Sequence, residues 1–296
     1  MFGFPIHYDE PLFRPPSEAR SLILQVTLGC SWNRCAFCEM YRTKRFSIRP
    51  EEEVLRDIKA LSLHYPATKR IFLADGDALV LPYDRLIRLL GSLRQHFPKV
   101  QRISSYALPR NINKKSDAEL IALRKAGLNL IYVGIESGDD EVLERIDKGE
   151  TAVSTMEGLK RAKEAGIKSS VIVINGLGGA KLSAQHAAGS ARVLNETQPE
   201  FFSTLVLSFP AGEGRFRSLF GDDFIPLDQR GLFREMKALI EETGLRNTVF
   251  RSDHASNYLI LKGTLGRDRA RIIGQIESAI DDPGEAGLRE EWQRGL

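Results

Sequence analysis

From residue 22 onward, short apolar runs alternate with longer stretches in which apolar residues recur every three or four positions. The runs at 22–28, 70–74, 101–107, 129–134, 168–174 and 201–207 are about five to seven residues long and rich in Val and Ile, which predicts β-strands. The stretches between them predict amphipathic helices with marked ends. Pro50 and the carboxylates Glu51, Glu52 and Glu53 open one of them, since proline's fixed φ suits a first turn and negative charge suits the positive end of the helix dipole. Val54, Ile58 and Leu61 then share a face. Leu86, Leu89, Leu90, Leu93 and Phe97 stripe the next helix, and Ser116 with Glu119 forms a capping box ahead of Leu120 and Leu123. Three junctions, at Gly127, Gly166 and Gly244, place glycine where a left-handed residue closes a helix before a strand.

Repeated strand–helix units imply a parallel sheet with right-handed crossovers. Periodicity alone fits both a closed or open α/β barrel and a doubly wound sheet, and in either case the active site lies at the C-terminal ends of the strands. Residues 1–20, rich in Pro and aromatics, predict an irregular arm. Residues 21–207 make the core. From 208 to 296 the pattern loosens into a C-terminal α/β extension: a Gly-rich loop at 211–214, a helix near 228–243, a short strand near 247–251 and a last helix near 266–281.

Composition narrows the class without naming it. The chain has 296 residues, 42% hydrophobic and 27% charged, which suits a globular enzyme. A net charge of +3, with no Lys/Arg block, argues against nucleic acid as a partner. No apolar run approaches the roughly 18 residues of a membrane helix. The N-terminus lacks a basic start followed by an apolar stretch, so no signal peptide is expected, and a cytoplasmic protein with reduced thiols follows.

The candidate chemistry is concentrated in one loop. Cys30, Cys35 and Cys38 are all the cysteine in the chain, and they follow directly on the first strand and Gly29. Three thiolates can hold three irons of a [4Fe–4S] cluster and leave the fourth for a small-molecule ligand. A zinc site of three Cys and one His is the rival, with His7, His64, His96, His186 and His254 as possible fourth ligands. None of them stands at a finger-like spacing. An odd count in a long chain argues against a disulfide framework. Later strands also end in polar groups: Asp75-Gly76-Asp77, then Ser104 to Tyr106, Glu136-Ser137, and Asn175 to Gly179. Each alone could be turn chemistry. Five such ends in succession, with the cysteine loop among them, suggest one functional rim.

With these motifs together, residues 20–210 resemble the radical S-adenosylmethionine (SAM) enzymes. The branch is the one shared by oxygen-independent coproporphyrinogen oxidases, methylthiotransferases and elongator-type enzymes. The resemblance implies a partial (β/α)6 barrel, a [4Fe–4S] cluster on Cys30, Cys35 and Cys38, and SAM as cofactor. Phe37 supplies the aromatic that the family places before its last cysteine. The usual spacing is three residues then two, whereas this chain has four then two. Asp75, Gly76 and Asp77 stand where the family receives the SAM amino group, with Asp77 as the acid. Glu136 or Ser137 would meet the ribose or methionine end, Lys148 the carboxylate, and Ile174 the adenine, while Tyr106 would face SAM. The implied chemistry is one-electron cleavage of SAM to a 5′-deoxyadenosyl radical that takes hydrogen from a substrate. The partners implied are an electron donor such as ferredoxin or flavodoxin and an unidentified small molecule.

With no further cysteine, a second cluster on cysteine ligands and a methylated-cysteine route are both excluded for this chain. Substrate determinants are expected in the extension. His254, Asn257 and Tyr258 concentrate donors and acceptors in one loop, and His254 and Tyr258 are the catalytic candidates. Arg215 and Arg217 read as solvated. Two non-enzymatic alternatives stay open: a carrier of cluster and SAM or of a tetrapyrrole, and a zinc-stabilised binding module.

Overall fold

Runs that lose water on both faces fold here as parallel strands, and the computed structural model, which describes residues 4–295, contains all six expected ones. The chain divides into two units. The first takes the chain up to Asn33, then Cys38–Val133 and Arg161–Ser169; the second takes Arg34–Phe37, Gly134–Lys160 and the chain from Ser170 on.

In the first unit, β1 (Leu22–Gln25) is followed by a short pair, β2 (Thr27–Leu28) and β3 (Ser47–Ile48), which are antiparallel. Then come α1 (Glu51–His64), β4 (Arg70–Ala74), α2 (Tyr83–His96), β5 (Arg102–Tyr106), α3 (Pro109–Asn113), α4 (Asp117–Ala126) and β6 (Leu128–Glu136). Strands β1, β4, β5 and β6 pair in that order, all parallel, with Leu22 opposite Ile71, Ile71 opposite Ile103, and Ser104 opposite Leu130. The faces match the periodicity: α1 buries Val54, Ile58 and Leu61, and α2 buries Leu86, Leu89, Leu90 and Leu93. The capping box of Ser116 and Glu119 is formed in both directions.

The arm is tied down by a buried carboxylate. Glu18, on a single 3-10 turn, is fully buried. It accepts from Arg102 at 2.8 Å, from Ser104 Oγ at 2.9 Å and from the Tyr132 hydroxyl at 2.7 Å. Burying a charge is costly unless such partners are supplied. Tyr8 adds a hydrogen bond to the Ile23 carbonyl at 2.7 Å.

The second unit carries α5 (Asp140–Arg145), α6 (Ala152–Glu164, shared with the first), β7 (Lys168–Asn175), α7 (Gly179–Thr197), β8 (Phe201–Val206), α8 (Gly214–Phe220), α9 (Gln229–Glu242), β9 (Thr248–Ser252), β10 (Leu261–Leu265) and α10 (Arg269–Asp281). Its strands run β7-β8-β9-β10, the first three parallel and β10 antiparallel to β9. The strand expected near 247–251 thus extends the parallel set, and Leu261–Leu265 adds an edge strand that periodicity did not mark.

One helix end differs from expectation. Gly127 and Gly166 adopt the left-handed conformation, with φ of 119° and 79°. Gly244 does not. Thr243 ends α9 with extended backbone and its hydroxyl donates to the Ile240 carbonyl at 2.8 Å, so no left-handed residue is needed. Among the described residues, no helix is long and apolar enough to cross a membrane.

The buried network predicts an ordering of stabilities. Glu18→Ala strands the Arg102, Ser104 and Tyr132 donors and should cost about 3 kcal/mol or more in urea unfolding. Ser116→Ala, which removes an exposed cap, should cost about 1 kcal/mol. Equal losses would refute a structural role for the arm carboxylate.

Candidate functional site

The end of β4 and the start of the cysteine loop are locked together. Gly29, at φ 71°, turns the chain out of β2 and into Cys30. Its N–H donates to Asp75 Oδ2 at 2.9 Å, and its carbonyl accepts from Gly76 N–H at 3.0 Å. Gly76 has to be glycine, because a Cβ there would stand 2.9 Å from the Cys30 Cβ and 3.1 Å from the Tyr41 ring. The Asp75 carboxylate is fully buried and turned inward. It receives Gln25 Nε2 at 3.0 Å and Lys44 Nζ at 2.9 Å, and the Lys44 side chain is only 5% exposed. Asp75 therefore braces the loop, with its acceptors occupied by the protein.

Asp77 is built differently. It too is fully buried, yet among the described residues no ion pair is made to it, and the charge of Lys115 acts on it without a direct contact. Oδ2 accepts from Ser31 Oγ at 2.7 Å and from Asn111 Nδ2 at 2.5 Å, and Oδ1 has only the long contact from Leu108 N–H at 3.4 Å. Burial outweighs these hydrogen bonds and pushes its carboxyl up to about 6. The folded state therefore favours the protonated form, and the contribution to stability is full below pH 3.8 and lost as pH rises through about 6. The loss amounts to roughly 3 kcal/mol. Burial here is unfavourable for the free protein and leaves an acceptor suited to a cation.

Around Cys30 and Cys38 the first unit holds two tyrosines. Tyr41 is buried, and its hydroxyl has no hydrogen-bond partner. Burial is the first cause of its raised pKa, and Asp75, Cys30 and Cys38 add to it. Tyr106, at the end of β5, packs edge-on against Phe72 with ring centroids 5.2 Å apart.

In the second unit, the segment 34–37 of the same loop is gripped by backbone and side chain. Ala36 N–H donates to the Ile146 carbonyl at 2.8 Å, and Arg34 pairs with Asp147 at 2.9 Å. Arg215, expected to be solvated, instead donates to the carbonyls of Arg34, Cys35 and Ala36. Phe37 packs on an apolar cluster that contains Ile174, Phe216, Phe220 and Phe224, so these two candidates do come together. Arg217 pairs with Glu213 at 2.9 Å.

Strand β6 ends in a left-handed residue that is not glycine: Glu136, φ 63°. Such a residue is held there only by its surroundings. Its carboxylate folds back over Gly134, where a Cβ would collide with it, and pairs with the buried Lys148 at 3.0 Å. Lys148 is thus an ion-pair partner of Glu136. Ser137 Oγ faces His186 Nδ1 at 2.8 Å, and His186 Nε2 lies 3.8 Å from Glu235. Glu235 in turn holds the turn after β7 by accepting from Gly176 N–H at 2.6 Å. The backbones of Gly138 and Gly189 approach so closely that neither position has room for a Cβ.

The two extension candidates both have side-chain partners. His254 Nδ1 accepts from Ser256 N–H at 3.1 Å and meets Ser256 Oγ at 2.9 Å, and burial lowers its pKa. Tyr258 bonds Glu291 at 2.5 Å and lies under Arg294, 3.5 Å from ring centroid to guanidinium carbon. Asn257 donates to the Thr204 carbonyl at 2.8 Å. The Asn257 Oδ1 is buried without a hydrogen-bond partner.

Sequence reasoning missed Lys44, Ser31, Asn111 and Glu235, placed His186 only among possible zinc ligands, and read Arg215 as solvated. Ser31 and Asn111 carried a readable signal, being polar residues directly after Cys30 and shortly after β5. Lys44, Arg215 and Glu235 carried none, because their partners lie 31 to 181 positions away along the chain.

The residues present fit an iron–sulfur cluster. None of the three cysteines is in a disulfide, and all three are half-buried, so their thiolates are available in kind to ligate iron. The buried Tyr41 hydroxyl is a donor still without an acceptor in the same unit as Cys30 and Cys38. Among the described residues, no three His, Cys, Asp or Glu are gathered as ligands of a single metal ion.

Comparison with known proteins gives the same direction. Residues 24–187, more than half the chain, match the radical SAM superfamily. The heme chaperone HemW of Bacillus subtilis is 25% identical over 158 residues, 53% of this chain and 41% of its own. A provisionally named methylthiotransferase of Methanocaldococcus jannaschii is 24% identical over 177 residues, 55% of this chain and 38% of its own. The chain thus spans about two fifths of the length of these two relatives. The structure of coproporphyrinogen III oxidase (HemN) from Escherichia coli is similar over 76% of this chain and 52% of its own, with a TM-score of 0.58 at 19% identity, a likeness of fold. Since the matched region takes in the three-cysteine loop, the Asp75–Asp77 turn and the end of β6, the chain belongs to the radical SAM superfamily, whose members are typically enzymes that use a [4Fe–4S] cluster, SAM and a reductant.

Proposed function

We propose that this chain is a radical SAM enzyme in which Cys30, Cys35 and Cys38 hold the [4Fe–4S] cluster and Asp77 receives the ammonium of SAM. The observation that carries the reading is the cysteine loop: three thiols outside any disulfide, all the cysteine the chain has, on one strand-end loop. When bound, the cluster and SAM supply one-electron cleavage of the sulfonium and removal of a hydrogen atom from a small-molecule substrate. The chain's own residues bind and orient. Three thiolates leave one iron without a protein ligand. Asp77 offers Oδ1 to a cation, since only one long backbone contact occupies it. The Glu136–Lys148 pair brings one charge of each sign to the end of β6, where the ribose and the carboxylate of SAM would be met. Ser137, held against His186, is the neutral hydrogen-bonding group beside them. Ile174 and Phe37 contribute apolar surface to one cluster, suited to the adenine. Tyr106, partly exposed at its strand end, would add a ring face. A low-potential donor such as ferredoxin or flavodoxin would deliver the electron.

The likeness to a heme chaperone supports a second reading, in which the chain carries cluster and SAM or a tetrapyrrole without turnover. Anaerobic reconstitution with iron and sulfide separates the two. The enzyme should take up about four irons per chain and form 5′-deoxyadenosine from SAM under strong reductant, whereas a carrier would take up iron without cleaving SAM. Cys35→Ala should lose the cluster. A full cluster in a protein lacking all three cysteines would end the reading.

Asp77 predicts a pH profile. Its carboxyl sits at about 6 in the free protein, and only the carboxylate accepts an ammonium. SAM affinity should therefore be constant above pH 6 and fall about tenfold per unit below it. Asp77→Ala should assemble the cluster normally, bind SAM roughly ten- to a hundredfold more weakly, and flatten that profile. Calorimetry across pH 5 to 8 checks both, and an unchanged profile in the variant assigns Asp77 to structure alone.

A further inference from the structure

Arg215 opens α8, in the segment after the core, 180 residues beyond Cys35. Its Nη1 donates to the carbonyls of Cys35 and Ala36, both at 2.8 Å, and its Nη2 donates to the carbonyl of Arg34, also at 2.8 Å. Three consecutive carbonyls thus point at one cation. A rigid, planar fork with five N–H donors can satisfy this arrangement, and a compact ammonium cannot reproduce it. The helix that carries the fork is itself anchored. Phe216, the next residue, is buried, and its ring stands 5.0 Å from Phe209, 5.1 Å from Phe220 and 4.7 Å from Phe224. Two turns of helix α8 therefore cannot swing away from the loop without breaking an aromatic cluster. Arg217, on the same helix, pairs with Glu213 and donates to the Phe224 carbonyl at 3.0 Å, so gripping the cysteine loop is specific to Arg215.

We propose that Arg215 is a positioning residue for the cluster: it holds the Cys35 corner of the loop, and its fixed charge raises the cluster's reduction potential. The proposal rests on the reading that Cys35 is a cluster ligand. Reduction adds one electron to a site that already carries thiolate charge, and a permanent cation on the carbonyls that flank a ligand favours the more negative state. Net charge and hydrogen bonding are among the determinants of cluster potential. The guanidinium stays charged at any pH of interest, so the effect is a constant bias and not a switch.

The test is a redox titration followed by EPR on the anaerobically reconstituted full chain, with iron and sulfide assayed in each sample. R215Q should keep a full complement of iron and show an equilibrium constant for one-electron reduction about tenfold smaller, a fall of about 59 mV. R215K keeps the charge and should regain most of that loss. R217Q should titrate as the wild type does. A wild-type potential in a fully loaded R215Q overturns the proposal, and so does a folded R215Q that cannot hold iron, since Arg215 would then act in assembly alone. If R215Q does not fold, R215K decides: a potential near that of the wild type supports the charge, and a tenfold loss refutes it. Cys35→Ala guards the underlying reading, because a complete cluster in that variant shows the ligand assignment to be wrong whatever Arg215 does.

Discussion

The contact on which the site depends is the absence of a side chain at Gly76. Because nothing projects from its Cα, the end of β4 can lie against the backbone of Cys30, and the Gly29 carbonyl and Gly76 N–H can bond directly. That closeness places Asp75 and Asp77 on either side of the join with opposite fates. Asp75 is neutralised by Lys44 and by backbone, and fastens the loop. Asp77, two residues further on, is equally buried but accepts hydrogen bonds only from neutral donors. Two carboxylates two positions apart thus differ in whether a lysine reaches them: Asp75 is ion-paired and Asp77 is not.

The same economy appears in the second unit. The left-handed Glu136 is tolerated because Gly134 leaves space for its carboxylate and Lys148 neutralises it. Behind it, the Gly138–Gly189 approach brings α7 close enough for Ser190 to bond the turn and for His186 to hold Ser137. A residue in this backbone region persists only where its neighbours over-determine it, as they do here. The extension supports the core from its own side: Glu235 of α9 fixes the turn after β7, and Arg215 of α8 fixes part of the cysteine loop. Residues 208–296 therefore act on the motif-bearing region through backbone and charge. The turn that carries His254, Asn257 and Tyr258 bonds within itself, to the Thr204 carbonyl of β8 and to Glu291.

The strands and most helices were legible in the sequence because their signals are local. Periodicity marks a buried face, Ser116 and Glu119 cap within one turn, and Gly127 and Gly166 close helices through their own φ. Gly244 was misread because Thr243 satisfied the helix end first. The edge strand Leu261–Leu265 left no clear mark, with a glycine and polar residues among its apolar ones. The three cysteines were legible for the same local reason: one loop contains them all.

What the sequence by itself determined is the order of strands and helices, the loop that bears the thiols, and the polar character of the strand ends. Only the tertiary structure decided which polar groups are free to act. Asp75 and Asp77 look alike in the chain, and Lys44 tells them apart. Arg215 and Arg217 also look alike, and only one reaches the loop. Burial and pairing depend on residues brought together from distant positions, and a charge in the interior is defined by its partner rather than by its own identity.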